Sequence, residues 1–392
     1  MDRAEAEFLC SKRGLALLDA AREFRALDPL ARRRHLDARA RPEEARAVLA
    51  QDALRVRAAR KTPLAERLLF TKEALEQASP SPVAEERATR FLRFETVADL
   101  GAGIGLDTIA LAGARCHVVA VERDPVRATL LRFNVNEANL DDHVTVIEGD
   151  AVENPPRADA AYLDPDRRPG NRRTRDPEAF EPPPHVWSDL ATHYAALLVK
   201  LAPGARPDDD GASPFEWVSL DGELRESRAG FGSFAPSDAR RRAVILPGST
   251  RFEGMGADWP IARAPQVGDL LLDPDPAIVV PGLLGDAARS IGAAPLHPRI
   301  AYLVSTAAAP WAASLRIDLI ASADAKELRD IAAAHDVGEI EVKTRGVEDG
   351  AEAWRRRIRP RGTRRATVVI TRGPDDRYLS LFSFASGDSG LT

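Results

Sequence analysis

Asp99-Leu100-Gly101-Ala102-Gly103-Ile104-Gly105 is the stretch of this chain whose residue types and spacing speak most directly of chemistry. It follows Thr96-Val97-Ala98 and precedes Leu106 to Ala112, an apolar, helix-compatible segment. That order predicts a strand, a glycine turn and a helix start. Glycine carries no Cβ and tolerates positive φ, so the backbone can turn sharply and come close to a ligand. The helix N-terminus then offers free N–H groups. A dinucleotide fingerprint needs G-x-G-x-x-G. Here the third glycine comes one residue early and an acid closes the strand. The turn therefore predicts a cofactor other than a dinucleotide.

Three further acids fall at successive predicted strand ends: Glu122, Asp150 within Glu148-Gly149-Asp150-Ala151, and Asp164. In nucleotide-binding α/β folds an acid after the second strand accepts both ribose hydroxyls. The end of the fourth strand lies where substrates react in open α/β sheets. Each acid alone reads equally well as a turn or cap residue; the set, together with the glycine turn, reads as a site. After Asp164 comes Pro165-Asp166-Arg167-Arg168-Pro169-Gly170, the start of a long basic loop that also holds Arg172, Arg173 and Arg175. Phe180, Trp187 or Tyr194 could bring an aromatic back toward it. The seven histidines show no metal-ligand spacing, so no metal is expected. P-loop, nucleophile-elbow and zinc-protease patterns are missing too.

Strands alternating with helices must position these residues, which is the α/β signature. The expected strands are 97–100, 117–121, 144–147, 160–163 and 196–200, then 215–220 and 243–246 as a closing antiparallel pair. Helices are expected at 106–112, 125–138 and 187–195. Residues 1–80 read as a helical region, with proline-led starts at Asp28-Pro29, Pro42 and Thr62-Pro63. Residues 81–250 hold the α/β pattern, and 251–294, rich in Pro, Gly and Asp, read as a connecting segment. Residues 295–385 read as a small α+β domain and 386–392 as a flexible tail.

A chain of 392 residues with 29% charged residues and net charge -5 fits an ordinary globular composition that does not advertise nucleic acid globally. Two cysteines give no disulfide framework, which fits a cytoplasmic location. No apolar run approaches the ~20 residues of a membrane helix, so no membrane partner is expected. The segment from Trp354 to Arg365, by contrast, carries many arginines and no acid. Arg355, Arg356, Arg357, Arg359 and Arg361 are candidate phosphate contacts, or a solvated helix end.

The acidic G-x-G-x-G turn resembles the first motif of class I S-adenosylmethionine methyltransferases. Further stretches narrow the resemblance: Phe70-Thr71-Lys72-Glu73-Ala74-Leu75, Leu163-Asp164-Pro165-Asp166-Arg167-Arg168, Val218-Ser219-Leu220-Asp221-Gly222-Glu223-Leu224, Ile300-Ala301-Tyr302-Leu303 and Val342-Lys343-Thr344-Arg345-Gly346-Val347. The chain resembles a bacterial family of these enzymes with a C-terminal THUMP-like domain. More distantly, it is similar to RNA cap guanine-N2 methyltransferases. The resemblance implies a Rossmann-like seven-stranded domain, an N-terminal helical region and a small α+β THUMP-like domain. It implies S-adenosylmethionine as cofactor, held by Asp99, Gly101, Ala102, Gly103, Gly105, Glu122, Arg123, Asp150 and Ala151. Asp164 and Pro165 would orient an exocyclic amine, guanine N2 in RNA being favoured. Thr71, Arg167, Arg168 and Trp187 would touch the substrate. Asp-Pro-Asp-Arg-Arg departs from the usual Asp/Asn-Pro-Pro-aromatic pattern. That leaves open a small-molecule or protein acceptor, or an RNA-binding protein that retains the cofactor without catalysis.

Overall fold

The structure is a computed structural model and describes residues 1–166, 180–205, 214–236, 238 and 240–384. Arg167, Arg168, the rest of the basic loop to residue 179 and the tail lie outside the described residues. The chain divides into two compact units. The first comprises Met1–Leu220 with Arg225–Asp238, and the second Asp221–Leu224 with Ala239–Thr392.

The first unit opens on helices α1 (Arg3–Cys10), α2 (Lys12–Glu23), α3 (Pro29–Asp37), α4 (Pro42–Ala58), α5 (Lys72–Gln77) and α6 (Ser81–Ala88). Asp28 caps α3, its carboxylate accepting from the N–H groups of Leu30 and Ala31, and Pro42 starts α4 as expected. Thr62-Pro63 starts no helix. The Thr62 hydroxyl accepts from Leu64 N–H in a local turn, and residues 63–70 run on as turns and irregular chain. The α/β part follows: β1 (Thr96–Leu100), α7 (Leu106–Gly113), β2 (His117–Glu122), α8 (Pro125–Glu137), β3 (Val144–Glu148), β4 (Ala160–Leu163), α9 (Pro184–Ala191), β5 (Ala196–Leu201), β6 (Glu216–Leu220) and β7 (Glu223–Gly232).

These seven strands lie in the order β3-β2-β1-β4-β5-β7-β6, with β1 to β5 parallel and β7 antiparallel to β5. The sequence pattern predicts no strand at β7. Its inward positions include Glu226 and Arg228, both buried, so its charges hide the apolar alternation that marks a strand. The N-terminal helices share a core with the α/β part. Leu9, Leu18, Val48, Leu68 and Phe70 pack in one cluster with Ile104 of the glycine turn and Leu130 of α8.

The second unit holds β8 (Arg241–Leu246), β9 (Thr250–Gly254), β10 (Leu270–Pro274), α10 (Pro276–Val279), α11 (Leu284–Ser290), β11 (Ala294–His297), β12 (Ile300–Ser305), β13 (Ala312–Arg316), β14 (Leu319–Ser322), α12 (Ala325–Ala334), β15 (Val337–Thr344), α13 (Ala351–Ile358), β16 (Arg364–Arg372) and β17 (Tyr378–Phe384). Two four-stranded sheets form, β11-β12-β10-β13 and β14-β17-β16-β15. Residues 251–294 thus contribute β9, β10, α10 and α11 in addition to irregular chain. In that segment a short apolar strand such as Leu270-Leu271-Leu272 is embedded among Pro, Gly and Asp, and composition alone obscures it. No helix among the described residues is long and apolar enough to cross a membrane.

Candidate active site

The glycine turn is built from its own backbone. The N–H groups of Gly101 and Ala102 both donate to the carbonyl of Val121 on β2, at 3.0 and 2.9 Å. Gly101, Gly103 and Gly105 have φ of +83°, +58° and +91°, in the region where side chains are strained. A Cβ at Gly101 or Gly103 would meet no protein atom within 4 Å. At those two positions the turn opens onto a cleft of about 760 Å³, a size that suits a small-molecule ligand. Gly105 does something else. A Cβ there would fall 2.4 Å from Leu131 Cδ1, and Gly105 is not among the cleft residues. The third glycine lets α7 and α8 approach each other and forms no part of the cleft wall.

Asp99, Ala102, Glu122, Arg123, Asp150 and Ala151 all line this cleft. Asp99 is buried and accepts a 2.6 Å hydrogen bond from the Thr108 hydroxyl. Burial pushes its carboxyl up to about 7, with the Thr108 bond opposing the rise in part. Glu122 has one oxygen on Gly103 N–H and the other on Asp124 N–H, both at 2.8 Å. It fixes the turn while each oxygen keeps a further lone pair. Asp150 uses Oδ1 to accept from Val152 and Glu153 N–H, at 2.8 and 3.3 Å. Arg123 reaches across the rim to Glu181 at 2.5 Å.

Register places the end of β4. Leu100 on β1 pairs with Leu163 on β4, so Asp164 follows β4 just where the glycine turn follows β1. Asp164 and Pro165 line the cleft. Asp164 Oδ2 is taken by Lys200 Nζ at 2.6 Å, a partner that the sequence reading missed. The signal was there: a lone lysine in the otherwise apolar strand Ala-Leu-Leu-Val-Lys-Leu is rarely buried without an ion-pair partner. Asp166 exchanges backbone hydrogen bonds with Glu181 at 2.9 Å, and its carboxylate accepts from Gln77 Nε2 at 3.1 Å. Gln77, Ala78, Ser79 and Pro80, from α5 and the turn after it, line the same cleft.

Two expected substrate contacts lie elsewhere. Thr71 is the N-cap of α5, its hydroxyl accepting from Ala74 N–H at 3.1 Å, and is absent from the cleft wall. Trp187 is fully buried and donates its indole N–H to Pro182 O at 2.8 Å. Phe180 and Tyr194 are buried in the same core as Trp187, so none of these aromatics stands in for the missing one.

A buried ion network reaches the cleft wall through Asp107, Tyr162 and Glu226. Arg87 contacts Asp107 and lies 2.5 Å from Glu226, and its guanidinium sits 4.5 Å over the Tyr162 ring. Arg228 contacts Glu86, Glu216 and Glu226 at 2.6, 2.7 and 2.7 Å. Burial alone would raise Glu226. Arg87, then Arg228 and Lys200, override it and bring the carboxyl down to about 2. The network joins α6, α7, β6 and β7, so breaking one member would leave buried charge unpaired.

In the second unit, Arg355, Arg356 and Arg361 are exposed. Arg357 is engaged, 2.6 Å from Asp349 and over the Trp354 ring at 5.0 Å. Arg359 closes α13 at φ +52°, its Nε donating to Arg356 O at 3.3 Å.

Comparison with known proteins decides the family. The chain is 33% identical over 311 residues to an uncharacterized S-adenosylmethionine-dependent methyltransferase of Mycobacterium tuberculosis, covering 78% of this chain and 84% of the relative. The chain belongs to the S-adenosylmethionine-dependent methyltransferases. A THUMP domain-like family model matches residues 312–381 of this methyltransferase. A shorter stretch of 82 residues is 38% identical to ribosomal RNA small subunit methyltransferase J of Aeromonas salmonicida, 18% of this chain and 33% of that one. A Porphyromonas gingivalis W83 structure provisionally named a methyltransferase shares the fold, with TM-score 0.80, 21% identity, and cover of 98% of this chain and 100% of that one.

The cleft of the methyltransferase fits its cofactor. Gly101 and Gly103 leave the wall open where a Cβ would project. The acids Asp99, Glu122 and Asp150 along the rest of the wall suit a ligand that brings ribose hydroxyls, an adenine amine and a sulfonium cation.

Proposed function

We propose that this methyltransferase methylates an exocyclic base amine in RNA, guanine N2 being favoured. Asp99, Gly101, Ala102, Gly103, Glu122, Arg123, Asp150 and Ala151 would hold the cofactor. The bound cofactor supplies an electrophilic methyl group on sulfonium. The chain's own residues supply position. The observation that carries the reading is the register between β1 and β4, which sets Asp164-Pro165 beside the glycine turn in one cleft. A carboxylate and a backbone carbonyl there accept N–H bonds, which orients an amine whose lone pair is poorly available and stabilises the positive charge that develops on it. Asp164 Oδ1 has no donor among the described residues, so it is open to such a bond.

RNA as the acceptor is supported by the THUMP-like match, by the local similarity to a ribosomal RNA methyltransferase and by exposed Arg355, Arg356 and Arg361. The test is direct. The protein is incubated with methyl-labelled S-adenosylmethionine and total RNA from cells lacking it, and labelled nucleosides are resolved by mass. Label in N2-methylguanosine is expected. Label only in protein or small molecules would contradict RNA as acceptor, and label in another nucleoside would contradict guanine N2.

A further inference from the structure

Lys200 is a buried cation lining the cleft that the cofactor reading leaves without a task. It projects from β5, a strand buried throughout, and is itself 5% exposed. Its ammonium lies 2.6 Å from Asp164 Oδ2 and lines the same cleft as Asp164, Pro165 and Asp99. Burying an ammonium is costly unless a close partner offsets it, so a merely apolar residue here would be the easier way to fill the strand. Asp164 sits just past the end of β4, a place where a carboxylate left alone would sample several rotamers. An acceptor that aligns an amine must be fixed to within about half an ångström.

We propose that Lys200 is the positioning residue for Asp164: it binds Oδ2, sets the carboxylate plane and leaves Oδ1 as the carboxylate oxygen that accepts from the substrate amine. The proposal rests on the amine-methylating reading above. It names a residue that acts through Asp164 and touches neither cofactor nor acceptor. Lys200 also helps hold Glu226 ionised, so a loss of activity alone would not separate positioning from stability.

A double-mutant cycle separates them. Lys200→Met, Asp164→Asn and the double variant are compared with the wild type for S-adenosylmethionine Kd, melting temperature and single-turnover methyl transfer. Lys200→Met is expected to keep Kd within about threefold and to lower the transfer rate on the order of 10²-fold. In the Asp164→Asn background the same change is expected to add less than about twofold. Independent, multiplicative losses, or an unchanged rate in Lys200→Met, would overturn the proposal. Lys200→Arg serves if Lys200→Met fails to fold, and partial recovery of rate relative to Lys200→Gln is expected. Equal rates in those two variants would overturn the proposal. A crystal structure of Lys200→Met needs no acceptor: Asp164 should leave its present rotamer, and an unmoved carboxylate would count against Lys200. Wild-type protein that transfers no methyl to RNA would instead sink the RNA reading, while that structure still decides the role of Lys200.

Discussion

Asn134 and Leu69 exchange two hydrogen bonds: Leu69 N–H donates to Asn134 Oδ1 at 2.8 Å, and Asn134 Nδ2 donates to Leu69 O at 2.9 Å. The same Nδ2 donates to Ile104 O inside the glycine turn at 2.8 Å. One fully buried amide on α8 therefore ties the N-terminal segment to the glycine turn. Asn134→Ala would leave three buried backbone groups unpaired, so a loss of about 3 kcal/mol is expected. Urea denaturation checks it; a change under about 1 kcal/mol would show that the clasp is replaceable.

Glu122 offers a second expectation. Its two oxygens hold Gly103 and Asp124, and a Gln in its place can accept at only one of them. Glu122→Gln should weaken S-adenosylmethionine binding on the order of tenfold and Glu122→Ala further, as read by calorimetry. Equal affinities in all three proteins would remove Glu122 from the cofactor site.

These two residues mark how far the sequence reached. Asp99, Glu122, Asp150 and Asp164 were legible because strand ends follow from apolar runs and because acids at those ends are conspicuous. Asn134 lay in an Asn-rich helix end whose residues look alike in sequence. Asn139, a few positions on, is simply the left-handed residue after the helix, with φ +59°. Lys200, Glu226 and Arg228 stayed hidden because their role depends on charges brought together from distant strands. Thr71 followed from the family resemblance and Trp187 from its residue type, and only the packing shows a cap and a core residue. Gly105 shares its motif with two cleft glycines, yet Leu131, which explains it, is 26 positions away in sequence.

Asp99 should make stability pH-dependent. Its folded value of about 7 lies above the ordinary 3.8, so between those values the folded chain holds a proton that the unfolded chain has released. The stability from that proton is full below about 3.8 and is lost as pH rises through 7. Asp99→Asn, which cannot ionise but can still accept from Thr108, should therefore gain on the wild type between pH 5 and pH 8. The gain should reach on the order of 2–4 kcal/mol. Melting curves without cofactor check it, and a difference that does not vary with pH would contradict the buried-acid explanation.

The exposed arginines of the second unit carry an electrostatic expectation. Replacing Arg355, Arg356 and Arg361 with Ala should weaken RNA binding and flatten its salt dependence. On single strands the log–log slope should fall by roughly 0.7 for each phosphate that is no longer neutralised. Arg357→Ala should change the slope less, because Arg357 is already paired with Asp349 at 2.6 Å. Salt titrations of RNA affinity check both, and an unchanged slope in the triple variant would place the RNA interface elsewhere.

Asp164 carries the central claim, that its carboxylate positions the methyl acceptor in the cleft that holds the cofactor. The most direct measurement pairs S-adenosylmethionine Kd with single-turnover methyl transfer to RNA for Asp164→Ala. Kd within about threefold of the wild type and a rate lower by on the order of 10²-fold or more are expected. Methyl transfer that persists at the wild-type rate would contradict the role of Asp164.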